Sequence, residues 1–122
     1  MNFDFNTDKP IYIQLAEAIE DSVLAGAYEE ETQIPSTTEI SVGYKINPAT
    51  ALKGINRLVD DGIVYKKRGL GMFVSTGAKE KIQEKRKENF FETYITSLVS
   101  EAKKLSISKD DTLKMLERGF DK

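Results

Sequence analysis

The sequence predicts a mainly helical α+β chain: three short helices, a β-hairpin and a helical tail. Three observations carry this expectation. Cap and stop signals recur from Pro10 to Gly62 and cut that stretch into three helices. Two β-rich runs, residues 63–67 and 72–74, flank a glycine-containing turn. Residues 79–105 then run without Gly or Pro and repeat apolar residues at steps of four and three.

Each element has a local reason. Pro10 suits a helix start, Gly26 suits a stop, and Ile11, Leu15, Ile19 and Val23 between them share one helical face. Residues 27–35 are acidic and end in Pro35, which predicts a loop with Ile34 tucked beneath it. Ser36-Thr37-Thr38-Glu39 matches a capping box, so a second helix starts at Ser36 and carries Ile40 inward, with Val42 or Tyr44 as further candidates. A turn over residues 43–46 leads to Asn47-Pro48, a cap and first-turn pair. The third helix places Ala51, Ile55, Leu58 and Val59 inward and Lys53, Asn56, Arg57 and Asp60 outward, and Asp61-Gly62 ends it. The hairpin follows, with a tip of Lys66, Lys67 and Arg68, and residues 75–78 look like a linker. The expected core is Ile11, Leu15, Ile19, Ile40, Ile55, Leu58, Ile63 and Phe73. Ser108-Lys109-Asp110-Asp111 opens a last short helix holding Leu113, Leu116 and Met115.

Composition narrows the function. The 122 residues contain neither His nor Cys, which removes imidazole bases, thiol nucleophiles, disulfides and the usual zinc ligands. The carboxylates of Glu29, Glu30 and Glu31 have no partner nucleophile or phosphate loop nearby in sequence, so an enzyme is not expected. No signal peptide or membrane span is visible, and the expected compartment is the cytoplasm. Net charge is −2, yet its distribution is uneven: residues 1–44 carry −8, residues 45–88 carry +6, and residues 89–122 are neutral. A local positive field can hold phosphates in a slightly acidic chain, because salt screens beyond about 8–10 Å.

Helix, helix, tight turn, helix and basic hairpin is the order of a winged helix-turn-helix. A helix that enters the major groove needs small or polar residues on its leading turn and a cation behind them, and Asn47, Ala49, Thr50 and Lys53 meet that need. Arg57 stands further along the same helix. Ser36 and Asn47 are helix caps first, with DNA contact as a second role; Lys53 and Arg57 are read against the alternative of solvated surface charge. At the wing, Lys67 and Arg68 can neutralise phosphates, while Gly69 and Gly71 are needed for the turn itself and permit close approach.

These residues also carry a resemblance. Lys9-Pro10-Ile11-Tyr12 with Gln14-Leu15, Ile34-Pro35-Ser36 with Glu39-Ile40, Asn47-Pro48-Ala49-Thr50 with Lys53 and Leu58 before Asp61-Gly62-Ile63, and Arg68-Gly69-Leu70-Gly71-Met72-Phe73-Val74 stand in the order seen in the GntR family of bacterial transcription regulators. Over residues 9–74 the chain resembles that family, and most closely its small YtrA-type branch. The resemblance implies a dimeric DNA-binding repressor, a DNA contact at Thr38, and a short helical tail in place of a larger ligand-binding domain. It also points to an export or envelope-stress operon, or to the regulator's own. Some positions depart from the family: Thr38, Pro48 and Leu52 stand where arginines are common, Lys45 where a turn glycine is common, and Gly54 where alanine is common. Glycine inside a helix costs about 0.5–1 kcal/mol relative to alanine.

The sequence therefore divides into a DNA-binding domain, 1–76, and a dimerisation tail, 79–122. A helix over residues 79–105 spans roughly 40 Å, too long to lay its apolar face on so small a domain. The stripe of Phe90, Phe91, Tyr94, Ile95, Leu98, Ala102 and Leu105 thus predicts a homodimer, and a two-fold protein suits a palindromic operator on double-stranded DNA. No cofactor or metal is expected, the effector is unidentified, and so short a tail leaves little room for a pocket outside the dimer interface. The competing expectation is a winged-helix module whose wing and tail bind proteins, since fold does not dictate function.

Overall fold

Pro10 begins the first helix because its extended backbone turns its carbonyl toward the helix, where it accepts from the N–H groups of Ile13 and Gln14 at 3.1 and 3.2 Å. The computed structural model describes residues 2–122. Helix α1 spans Ile11–Leu24, and Leu15, Ala16, Ile19 and Val23 form its buried stripe. Ile11 packs partly buried against the same core.

The capping box closes as expected: the Ser36 hydroxyl accepts from the Glu39 N–H at 3.0 Å, and the Glu39 carboxylate accepts from the Ser36 N–H at 3.2 Å. Helix α2, Thr37–Tyr44, buries only Ile40 and Ser41. Val42 is 73% exposed and Tyr44 is exposed too, because eight residues offer the core a single narrow stripe. The α2–α3 turn passes through Lys45, whose φ of 55° lies in the left-handed region, and the Ser41 hydroxyl braces it by donating to the Ile46 carbonyl at 2.8 Å. Helix α3, Pro48–Asp60, starts where the Asn47 side chain accepts from the Ala49 N–H at 2.8 Å. It buries Ala51, Gly54, Ile55 and Leu58. Val59, expected inward, is 39% exposed, since it lies one step of about 100° beyond Leu58.

Strands β1, Val64–Lys67, and β2, Gly71–Val74, pair antiparallel with Val64 opposite Val74 and Lys67 opposite Gly71. The pleat turns Val64 and Val74 into the core, so Phe73, expected there, sits half-buried on the other face. The acidic segment is more than a loop. Glu31 and Ile34 donate to the carbonyls of Val74 and Met72 at 2.8 and 2.9 Å, and Val74 donates to Thr32 at 3.0 Å, which lays residues 31–34 along the free edge of β2.

The expected linker is also structural. Ser75 donates to the Ile63 carbonyl at 2.9 Å, and helix α4, Ala78–Phe90, buries Ala78 and Ile82 in the same core as Leu15 and Ile55. The first compact unit accordingly runs to Glu84, beyond the boundary expected at residue 76, because the first turns of α4 belong to its core.

The second unit, Lys85–Lys122, contains the end of α4, a π-helical turn at Phe91–Ile95, α5 at Thr96–Lys104 and α6 at Lys109–Phe120. Ser106 (φ 56°) turns the chain, and the Ser108 hydroxyl caps α6 by accepting from the Asp111 N–H at 3.1 Å. None of its described residues is fully buried. An apolar groove of about 560 Å³ lies between α5 and α6, walled by Leu98, Leu105, Met115, Leu116 and Phe120. A single tail thus forms a concavity that its length made unexpected.

Candidate nucleic-acid interface

The outward side of α3 is built by what its inward side buries. With Ala51, Gly54, Ile55 and Leu58 against α1 and the hairpin, the helical period leaves Ala49, Lys53, Asn56 and Arg57 exposed, and Thr50 half-buried at the edge. Asn47 is exposed at the head of this row, and its side-chain oxygen is engaged by the Ala49 N–H. Tyr12 faces the row from α1. Tyr12, Ala49, Leu52, Lys53, Asn56, Arg57 and Asp60 line an open concavity of about 380 Å³, and the Lys53 ammonium stands 4.2 Å from the Tyr12 ring centroid. At the start of α2, Thr38 is exposed, while Ser36 is half-buried with its hydroxyl in the capping box.

The hairpin separates its cations. Lys66 and Lys67 point to opposite faces, as alternation requires, and Arg68 is exposed at the tip. Lys67 lies over aromatic rings, its Nζ 4.2 Å from the Phe73 centroid and 5.9 Å from that of Tyr65. The tip is set by its glycines: Gly69 has φ 79° and Gly71 φ 121°, backbone conformations that strain any other residue, and a Cβ at Gly71 would also displace the Gln33 amide nitrogen, 2.5 Å away. That nitrogen donates to the Leu70 carbonyl at 2.8 Å and braces the tip from the 31–34 segment.

Glu31 ties this segment to the base of the hairpin. It accepts from the hydroxyl of Tyr65 and, at 2.7 Å, from that of Thr76. The Tyr65 bond first, and then the Thr76 bond, hold the Glu31 carboxyl below the usual glutamate range, and the same partnership pushes the Tyr65 phenol up. Burial, with Tyr44 nearby, raises Tyr28. Among the described residues no cluster of acidic side chains could hold a metal ion, and no helix is long and apolar enough to cross a membrane.

Every residue expected at the interface is accessible or half-accessible in the first unit. In the tail, Phe90, Phe91, Tyr94, Leu98 and Leu105 are exposed, Ile95 and Ala102 are half-buried, and the rings of Phe90 and Tyr94 pack 5.5 Å apart. Sequence reasoning missed Tyr12 and Gln33. Both act across the fold on residues more than 35 positions away, and no local pattern marks such contacts.

The sequence pattern of the bacterial regulatory proteins of the gntR family matches residues 11–74, from the first residue of α1 to the last of β2. The chain belongs to the GntR family. Among curated relatives, the HTH-type transcriptional regulator YhcF of Bacillus subtilis is 27% identical over 113 residues, covering 93% of this chain and 92% of that protein. The HTH-type transcriptional repressor YtrA of the same organism is 29% identical over 84 residues, 69% of this chain and 65% of YtrA. A GntR-family regulator from Bacteroides thetaiotaomicron shares the fold with a TM-score of 0.74 and 37% identity, over 91% of this chain and 96% of that one. The DNA-binding domain of AraR, solved in complex with operator ORX1, matches 61% of this chain and 93% of its own with a TM-score of 0.56 and 27% identity. The winged helix-turn-helix with C-terminal helices is thus the shared architecture, and the likeness to YtrA and to full-length short regulators agrees with a GntR regulator of the YtrA type.

Proposed function

We propose that this GntR regulator is a cytoplasmic, homodimeric repressor that binds a palindromic operator, in a transporter-related operon or in its own, without a cofactor. The observation that carries the reading is the outward row of α3. Its leading turn presents small and polar groups, Asn47, Ala49 and Thr50, and Lys53 and Arg57 follow. Small leading residues let the helix approach base edges, and the cations behind them reach guanine edges or phosphates. Ser36 and Thr38 at the start of α2 serve the backbone flanking the groove. Lys67 and Arg68 serve the backbone beside the wing, where Gly69 and Gly71 add no side chains of their own on either side of the exposed Leu70. That the similar DNA-binding domain of AraR was solved with its operator supports DNA binding by this unit. In the tail, Phe90, Phe91, Tyr94, Ile95, Leu98, Ala102 and Leu105 form the contact between copies.

Footprinting on the intergenic DNA upstream of its own gene tests this reading. The expected result is a protected site with two halves about one helical turn, or a whole multiple, apart. Lys53→Glu should weaken binding to that site by roughly ten- to a hundredfold per half-site while leaving the fold intact, because the side chain is exposed. An unchanged gel shift would remove Lys53 from the interface, and no protected site together with capture of a protein partner would assign the wing and tail to protein binding instead.

A further inference from the structure

The motif at residues 9–15 stands outside the interface proposed above, and two of its polar residues, Tyr12 and Gln14, have separate tasks. Gln14 folds the N-terminal arm: its amide nitrogen donates to the carbonyls of Asp4 and Lys9, and its oxygen accepts from the Asp4 N–H at 2.8 Å. Tyr12 points elsewhere. Its ring lies 4.2 Å from the Lys53 ammonium, on the wall of the concavity beside α3.

Gly54 makes this contact possible. A Cβ at that position would stand 2.8 Å from the Leu15 side chain and 3.0 Å from the Tyr12 carbonyl oxygen. A glycine lets the first turn of α1 lie this close to α3 without any shift of Leu15 or Tyr12, so the residue that weakens the helix locally helps bring an aromatic ring to its exposed flank. The wing repeats the arrangement, with Lys67 seated 4.2 Å from the Phe73 ring centroid.

We infer that Tyr12 is a positioning residue for DNA reading: its ring seats Lys53 on the groove-facing flank of α3. The inference rests on the proposal that α3 reads DNA. A lysine side chain in water samples many rotamers, and binding must select one of them. A carboxylate partner would select one too, but would compete with phosphate for the charge. An aromatic face attracts the cation without neutralising it, so the ammonium stays available to a phosphate or a guanine edge.

The test uses the full chain, a duplex selected from a random library by the parent protein, and a scrambled duplex of the same composition. By NMR without DNA, the Lys53 ε-methylene protons should be shifted upfield by the ring; Tyr12→Phe should keep the shift and Tyr12→Leu abolish it. Tyr12→Leu should weaken binding to the selected duplex roughly two- to fivefold per half-site, and Tyr12→Phe should bind like the parent. In a Lys53→Met background, Tyr12→Leu should cost nothing further. An equal loss in both backgrounds would show that Tyr12 acts through the packing of α1 or a contact of its own, and would overturn the inference, as would unshifted Lys53 methylenes. Either failure leaves DNA reading by α3 standing. A parent that binds both duplexes alike while the upfield shift is present removes that reading and the inference with it.

Discussion

Lys45 holds a left-handed backbone, φ 55° and ψ 47°, at the tight turn between α2 and α3, where its Cβ crowds the following carbonyl. Glycine relieves that crowding but loses more entropy on folding, so Lys45→Gly should stabilise the first unit by a net of roughly 0.5–1 kcal/mol. Thermal unfolding should show a midpoint a few degrees higher; a lower one would mean that the lysine side chain makes compensating contacts. Glu31 supplies the pH dependence at this scale. Its carboxyl is held below the ordinary value of 4.5 by the Tyr65 and Thr76 hydroxyls, which favour its charged form. A depressed carboxyl stabilises the fold fully above 4.5, and that contribution disappears as pH falls through the lowered value. Carbon NMR titration should find Glu31 below 4.5 in the parent and returned toward it in Tyr65→Phe. An unmoved titration would show that the hydroxyl bond does not form in solution.

At the scale of elements, the most consequential feature is that α4 belongs to two units, of which the first alone has a buried core among the described residues. Its first turns bury Ala78 and Ile82 in the core of the first unit, whereas its later residues belong to the tail. Ile82→Ala should therefore destabilise the winged domain by about 2–5 kcal/mol, as for a full core residue, and a chain ended at residue 76 should unfold where one ended at 84 does not. Denaturant unfolding decides this: a domain indifferent to Ile82 would restore residues 75–78 as a linker. The sequence shows no such bond between hairpin and helix, because one isoleucine in a charged run has the same local pattern whichever core receives it. The capping box and the glycine stops were legible because they are bonds between residues three or four apart. Phe73 and Val59 were misplaced for a related reason: alternation and helical period give relative faces, and only the assembled core shows which face is inside. The Tyr12–Lys53 and Gln33–Leu70 contacts depend on helices and strands meeting, and Gly54, which permits the first, reads in sequence only as a weak spot in a helix.

For the whole molecule, the proposed homodimer rests on the tail. No described residue from Lys85 to Lys122 is fully buried, and Phe90, Phe91, Tyr94 and Leu105 are each more than half exposed. Covering such a stripe removes apolar area from water at about 25 cal/mol per Å², and a second copy offers the same stripe in return. Leu98 is a poor place to test this, since it also walls the groove between α5 and α6 and its loss would disturb the tail itself. Phe91, 62% exposed in the π-helical turn and outside that groove, is the better probe. Phe91→Asp would bury a charge with no partner in the proposed interface between copies, a cost of several kcal/mol that a modest dimer cannot absorb. The winged domain should keep its unfolding transition, because its core draws on Leu15, Ile40, Leu58 and Ile82 instead. Operator affinity should then fall by roughly 10²–10⁴, since linking two half-site readers makes the second contact intramolecular. Each single half-site should be bound as before. Sedimentation and gel shift together decide the matter: a Phe91→Asp protein that still runs as a dimer would move the interface to another face, and a monomer that holds the full operator as tightly as the parent would show that the two readers never needed to be joined.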